Sequence, residues 1–400
     1  SCQFSQAEQD AKLQAREEMA VALSEAVASE PLNTPDAVQD LIAMIESVSA
    51  NPYELTVTAC ESLASMVQLA LAGIAALGMQ YEDLAAVYQT LDDCQTVYID
   101  NGVVIDLNGD GNNGTRRSLA AQSGELGSLI NEYASIVSNG IEGGQDLIGE
   151  ASTNFRTSNF FSSNVKLLTF YVAQTTTEAA ANSPNSVLYV NLGAAGFTNE
   201  VSTSLVESRY QMYASSEEET IIGNPLRASF SRSTMNGMVT LEFHIVNAVG
   251  AVEYGGIRTT NETLVTDCRK GTYSSENYTC ASGYFLENEC AGNSTAHHTL
   301  TSNCPNSTFL PVCGLIVDSS IYLDNPDPNG NISCTTASYT DVLVVCECRM
   351  FLSEDVGGGD RRLAIEESNT IEVVSVATYV ADGAVNTASS IVTEVVSSTA

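Results

Sequence analysis

The chain has 400 residues, 49 of them acidic against 15 basic, and carries a formal charge of −34. That charge excludes binding to nucleic acid or to an anionic membrane surface, because repulsion opposes every phosphate contact. Disorder is excluded as well, since only 16% of residues are charged while 44% are hydrophobic, enough to bury a core. The length predicts two or three domains, at roughly 100–200 residues each.

Residues 5 to 98 read as helices. Thr34-Pro35-Asp36 is a start signal, with Thr as cap, Pro at the first helical position and an acid in the first turn. Behind it Val38, Leu41, Ile42, Ile45 and Val48 repeat at the spacing of one apolar helix face. Asn51-Pro52 restarts the pattern, and Leu84, Val87, Tyr88 and Leu91 repeat it after Gly78. The apolar run from Leu63 to Met79 is interrupted by Ser65, Gln68, Gly73 and Gly78, which predicts a buried core helix rather than a membrane span. Cys60 and Cys94 fall on separate helices and are expected to bridge them. Thr96 to Leu107 reads as a short β-like piece with a hairpin turn at Asn101-Gly102. A further helix presents Leu126, Leu129, Ile130, Tyr133, Ile136 and Val137 on one face and ends at Gly143-Gly144. Residues 1–150 therefore form an expected helical module, with a hairpin or calcium-type loop near 96–115.

From 151 the hydrophobic period becomes strand-like. Val165-Lys166-Leu167, Val187 to Val190, Ser208 to Tyr213 and Val239 to Val246 are short β-rich runs separated by Asn, Ser, Gly and Pro. Asn236-Gly237 is a hairpin-type turn, and Val342 to Val345 leads into Cys346. Residues 151–350 are predicted to form an antiparallel β-sandwich. Beyond them, Gly357-Gly358-Gly359-Asp360-Arg361-Arg362 marks a joint with a dibasic pair, matching a second pair at Arg116-Arg117. Residues 351–400 are read as linker and extended tail, β-prone over Ile371 to Val380, able to add a strand to its own domain or to a neighbouring copy.

Eight of the eleven cysteines crowd into one stretch: Cys268, Cys280, Cys290, Cys304, Cys313, Cys334, Cys346 and Cys348. Asn-x-Ser/Thr acceptors at Asn261, Asn277, Asn293, Asn306 and Asn331 lie in the same stretch, and a sixth is Asn113. Disulfides and N-linked glycans both belong to the secretory pathway, so their coincidence predicts an extracellular or cell-surface protein. A zinc module, the rival reading, requires paired Cys-x-x-Cys knuckles. Here the only close pair is Cys346-x-Cys348, whose spacing suits strand positions. Eight cysteines allow 105 connectivities, so spacing does not assign the bridges. Ser1-Cys2-Gln3-Phe4 runs directly into a polar helix with no signal peptide, which suggests a processed product or a piece of a longer chain.

Asp106, Asn108, Asp110 and Asn112 place oxygen ligands at alternate positions, with Gly111 sixth, as in the front half of a calcium loop. The twelfth position holds Arg117 instead of a bidentate acid, so Ca2+ and an ordinary Asn/Gly turn both stand as readings. The histidines are His244, in a strand, and His297-His298, in a loop. No nucleophile elbow, phosphate loop or His-Glu-x-x-His occurs, and a non-enzymatic protein is expected.

The phrases Leu32-Asn33-Thr34-Pro35-Asp36-Ala37-Val38 and Ser49-Ala50-Asn51-Pro52-Tyr53-Glu54-Leu55, then Gly223-Asn224-Pro225-Leu226, then the span Cys334 to Cys348, occur in that order. A helical module, a β module and a closing Cys-x-Cys resemble the GAIN domain of adhesion receptors. The likeness is nearer to the GAIN-like region of polycystin and sperm-receptor-for-egg-jelly type proteins of protists and algae. The resemblance implies an α+β multidomain fold, with a helical subdomain followed by a disulfide-stapled sandwich. It also implies the pairings Cys313–Cys346 and Cys334–Cys348. That family's self-cleavage site follows the last cysteine as x-His-Leu-Ser/Thr, where His takes the proton of the attacking hydroxyl. Here Arg349-Met350-Phe351-Leu352 supplies neither base nor nucleophile, and the family's tryptophans are absent, so an uncleaved domain is expected.

The resulting expectation is a secreted structural or adhesive glycoprotein, such as a subunit of a flagellar hair or surface fibre. Its partners would be further copies of itself or other extracellular proteins. The alternative is the ectodomain of a polycystin-like receptor or channel.

Overall fold

The computed structural model describes residues 6–394, apart from 30–31, 80–83, 102–104, 107–113, 142–144, 146, 164–166, 192–199, 209–212, 215–218, 232–236, 249, 260–261, 281–283, 318–319, 324–331, 353–369 and 382–392. The helices are α1 (Gln6–Val27), α2 (Pro35–Ser49), α3 (Val57–Leu77), α4 (Ala85–Asp100), α5 (Gly114–Gly140) and α6 (Thr176–Ala181). The earlier strands are β1 (Ile105–Asp106), β2 (Ile148–Ala151), β3 (Phe155–Ser163), β4 (Leu167–Tyr171), β5 (Val187–Asn191), β6 (Glu200–Ser208), β7 (Tyr213–Ala214), β8 (Glu219–Ile221), β9 (Leu226–Ser231) and β10 (Gly237–Val246). The later ones are β11 (Ile257–Arg258), β12 (Thr263–Cys268), β13 (Ser274–Thr279), β14 (Phe285–Cys290), β15 (His298–Asn303), β16 (Ser307–Val317), β17 (Ser320–Leu323), β18 (Ile332–Tyr339), β19 (Leu343–Leu352), β20 (Thr370–Ala381) and β21 (Thr393–Glu394). The fold is α+β.

Two compact units divide the chain: residues 1–216, 221–250 and 312–376 form the first, and 217–220, 251–311 and 377–400 the second. The helices thus share a unit with the sheets that follow them, and the border expected at 150 does not separate compact bodies. Instead, 251–311 is set apart from the sandwich sequence on either side of it.

In the first unit, Thr34 caps α2 by accepting a hydrogen bond from the Ala37 N–H at 3.3 Å, with Pro35 opening the helix. The predicted face of α2 is buried in full. It meets α3, whose Leu63, Met66, Val67, Ala70, Leu71 and Ile74 lie in the same core. Gly73 permits that approach, since a Cβ there would stand 2.8 Å from Val38 Cγ2. Among the described residues α3 is the one helix long and apolar enough to cross a membrane, and its inward face is core. The strand expected to enter the turn at Asn101-Gly102 is helical instead, since α4 continues to Asp100, and Gly102 lies outside the described residues. Val97 and Tyr98 are buried as helical residues, and Asn101 is the C-cap. Of the expected β-like piece, Ile105–Asp106 remains, paired in parallel with β7.

Two sheets complete this unit. One runs β20-β9-β6-β3-β2 with β16 beside β20, and the other runs β18-β19-β10-β5-β4 with every pair antiparallel. In β10, Val239, Leu241, Phe243 and Ile245 are buried while the intervening residues are not, the period of a half-buried strand. The Phe160 and Phe170 rings of β3 and β4, one from each sheet, meet edge-on at 5.6 Å. Cys313 of β16 and Cys346 of β19 join the sheets covalently. The β-prone stretch expected over Ile371 to Val380 does add a strand to its own domain: Thr370–Ala381 lies inside the sheet between β16 and β9, and so is not part of an extended tail. Its Ile371, Val373, Val374 and Val376 are buried. Four β-branched side chains gain more from that interior than a solvated tail could offer.

Candidate functional site

The second unit gathers the chemistry that the sequence singled out. Its main segment, 251–311, holds β12 against β15 and a separate hairpin of β13 and β14. Among the described residues apolar side chains contribute little there: a small cluster comprises Cys280, Leu286 and Cys304, with Leu264 beside it. Two disulfides do the work of a core. Cys268–Cys290 ties the end of β12 to the end of β14, with Cα atoms 5.4 Å apart, and Cys280–Cys304 spans 5.9 Å. The buried Asn288 amide links the pieces by donating to the Leu264 carbonyl and Thr266 Oγ1, both at 3.2 Å, while accepting from Ser302.

Three sequon asparagines fall in this segment among the described residues, and all three are exposed. Asn277 lies within β13 opposite Glu287, on a strand whose residues are nearly all solvent-facing. Asn293 follows Cys290 in a turn, and Asn306 stands two residues beyond Cys304. Each can therefore carry a glycan without displacing packed side chains. Asn113, Asn261 and Asn331 lie outside the described residues.

The remaining cysteines are in the first unit. Cys60 and Cys94 join α3 to α4 with Cα atoms 5.3 Å apart, and Cys313 and Cys346 lie 5.7 Å apart. Cys334 and Cys348 face each other in register across β18 and β19. Immediately beyond, Met350 is fully buried in β19 opposite Val239 and Ile332. A thioether in an apolar interior accepts no proton, so this position offers no general base.

Metal-ligand candidates are dispersed. Glu262, Cys280 and Cys304 bring potential ligand atoms within 4.8 Å of one another. The two sulfurs are bonded to each other, so neither is available as the thiolate a zinc site would need. Of the calcium-loop residues, Asp106 lies in β1, while Asn108, Asp110 and Asn112 are outside the described residues. His297 and His298 diverge: His297 Nε2 reaches Asp267 Oδ1 at 2.8 Å, and His298 Nδ1 is 3.3 Å from Ser294 Oγ. His244 belongs to the other unit, where it pairs with Glu242 beside the Tyr189 ring.

A buried carboxylate, Glu207, and a half-buried one, Glu150, were missed in the sequence because their partners are distant along the chain. Tyr133 of α5 donates to Glu150 of β2. Burial pushes the Glu150 carboxyl above its ordinary value, against the opposing effect of that hydrogen bond. Burial pushes the Tyr133 hydroxyl up as well, reinforced by the Glu150 charge. Glu207 of β6 lies opposite Arg156 of β3 and forms an ion pair with it at 3.2 Å, while Ser186 Oγ donates at 3.0 Å. Burial raises Glu207 too, with Arg156 pulling the other way. Arg156 also holds Glu178, which closes a capping box with Thr175 at the start of α6. Each group is engaged in fastening one element to another. No family model matches the chain, and no curated protein matches it either.

Proposed function

We propose that this chain is a secreted, N-glycosylated structural or adhesive subunit of an extracellular assembly such as a surface fibre or flagellar hair. The observation that carries the reading is the second unit, where two disulfides replace an apolar core and three described sequon asparagines are exposed. A fold that depends on oxidised cysteines suits an oxidising compartment. The same compartment supplies glycans to exposed sequons. The GAIN-like resemblance adds an order of modules, and the cysteine pairs Cys313–Cys346 and Cys334–Cys348 agree with its pattern. The high negative charge would then act as a solubilising coat between contacts.

Labelling intact, unpermeabilised cells with an antibody against 251–311 tests this reading, combined with deglycosylation of the recovered protein. The expected result is surface label on a repeating structure and a mass loss on deglycosylation. Label confined to permeabilised cells, with no glycan removed, would overturn it. Even label over the plasma membrane without a repeating structure would favour the receptor-ectodomain reading.

A further inference from the structure

We propose that the N-linked glycan on Asn277 is a structural part of the second unit, with its first N-acetylglucosamine seated on the Phe285 ring of the neighbouring strand. This inference rests on the reading as an N-glycosylated secreted protein and adds what one glycan touches and does. Strands β13 and β14 form a two-stranded sheet of their own. Such a hairpin is marginal in water without further apolar contacts. Its inner face supplies some, since Leu286, Asn288 and Cys290 are buried. Its outer face carries Ser275, Asn277 and Thr279 on β13 and Phe285, Glu287 and Glu289 on β14, all of them exposed. Among these polar neighbours Phe285 is an aromatic ring left 56% exposed.

The register shows where a sugar on Asn277 would lie. Ser275 pairs with Glu289, Asn277 with Glu287 and Thr279 with Phe285. Yet Ser275 Oγ donates at 2.9 Å to Glu287 Oε1, one step along the same face from its own partner. Tyr273, just ahead of β13, hydrogen-bonds to Glu289 in the same sense. The twist of the hairpin therefore makes this diagonal the short one, and diagonal neighbours are within reach of long or aromatic side chains. The same diagonal from Asn277 ends on Phe285. An attached N-acetylglucosamine extends the Asn277 side chain along it, and one face of the pyranose presents C–H groups that suit the negative face of an aromatic ring. Charge favours a sugar there too: it is neutral, whereas an acidic surface would be repelled by Glu287, Glu289 and the −34 of the chain. Asn277 is also the one described sequon asparagine within a strand, since Asn293 is in a turn and Asn306 precedes β16.

The test uses the full chain secreted from cells that attach N-glycans, with the occupancy of each site read by glycopeptide mass spectrometry. Asn277→Gln and Thr279→Val remove the sequon by two different changes, and disulfide mapping checks that Cys268–Cys290 and Cys280–Cys304 form in each. Hydrogen exchange over β13 and β14 is expected to run about tenfold faster in both variants than in the glycosylated parent. Phe285→Ala should show a similar acceleration with the glycan present, and adding Asn277→Gln to it should change little more, because one contact is lost only once. Trimming the parent to its first N-acetylglucosamine should leave exchange as it was, and nuclear Overhauser contacts should join that sugar to the Phe285 ring. Absence of those contacts in the trimmed parent overturns the inference even where the variants fail to fold. Unchanged exchange in correctly bonded Asn277→Gln and Thr279→Val overturns it as well. If Asn277 is unoccupied while Asn293 or Asn306 carries a glycan, this inference falls and the reading as a secreted glycoprotein stands; with no glycan at any site, both fall.

Discussion

The two units reach stability by different routes. In the first, α2, α3, α4 and α5 and the faces of two sheets bury long runs of Leu, Ile, Val, Phe and Tyr, and disulfides are added to a core that already exists. In the second, the β12–β15 pair and the β13–β14 hairpin surround Leu264, Leu286 and two cystines, while Tyr273, Phe285 and Val265 remain exposed. A segment of about sixty residues sits near the size below which an apolar core alone is marginal. The difference teaches that the cysteine cluster in the sequence is two devices. Cys313, Cys334, Cys346 and Cys348 pin strands of a packed sandwich, and Cys268, Cys280, Cys290 and Cys304 substitute for packing.

The largest expected effect breaks that contrast directly. Replacing Cys268, Cys290, Cys280 and Cys304 by Ser removes two loops of 22 and 24 residues, each worth about 3 kcal/mol by loop-closure entropy. Hydrogen exchange should then show 251–311 unprotected while α3 and β10 keep their protection. Equal loss of protection in both units would show that the first depends on the second. Next in size, Phe243→Ala empties a fully buried site in β10 and should cost about 3–5 kcal/mol, read as a lowered denaturation midpoint of the first unit. Protection in 251–311 should be unchanged. A smaller effect is expected at Gly223, where a Cβ would collide with Ser375 Oγ and Ile245 Cγ2. Gly223→Ala should destabilise the first unit by about 1–3 kcal/mol through overpacking.

How much of this was legible in the sequence depends on the distance over which each feature is encoded. The start of α2 and its buried face follow from Thr34-Pro35-Asp36 and a 3.6-residue period, all local. So does β10, where alternation is strong. The stretch from Thr96 misled because Val97, Tyr98 and Ile99 fit either a strand or the end of a helix. Burial of Val97 and Tyr98 beside the Cys94 end of α4 decided for the helix. The β-propensity of Ile371 to Val380 was legible locally, but its inner place in the sheet was not, because β20 finds its neighbours, β9 and β16, far back in the chain. For the candidate site, the cysteines and sequons were visible as types. The separation of 251–311 as its own unit was not, since it depends on which cysteines pair. The Arg156–Glu207 ion pair was equally hidden: the two residues face each other only through the β3–β6 register.

The smallest effect concerns Glu150 and sharpens the account of how the helices are fastened to the sheet. Burial raises the carboxyl above the value it has in an unfolded chain. The folded state therefore holds its proton more tightly, and folding is favoured most where the group is protonated. This contribution is fully present below the unfolded carboxyl range and is lost as pH rises through the raised folded value. Glu150→Gln keeps an acceptor oxygen for the Tyr133 hydroxyl and removes the charge that burial penalises. The variant should melt slightly higher than the parent at pH 7 and no higher at pH 4, giving a flatter stability profile between them. Glu150→Ala separates this electrostatic effect from loss of the contact: it removes the acceptor and leaves the Tyr133 hydroxyl of a buried ring unpartnered, so it should melt below the Gln variant at both pH values. If Gln and parent respond identically to pH, the carboxyl is ionised alike in both states, and Tyr133 holds β2 through its hydrogen bond without any charge penalty to relieve.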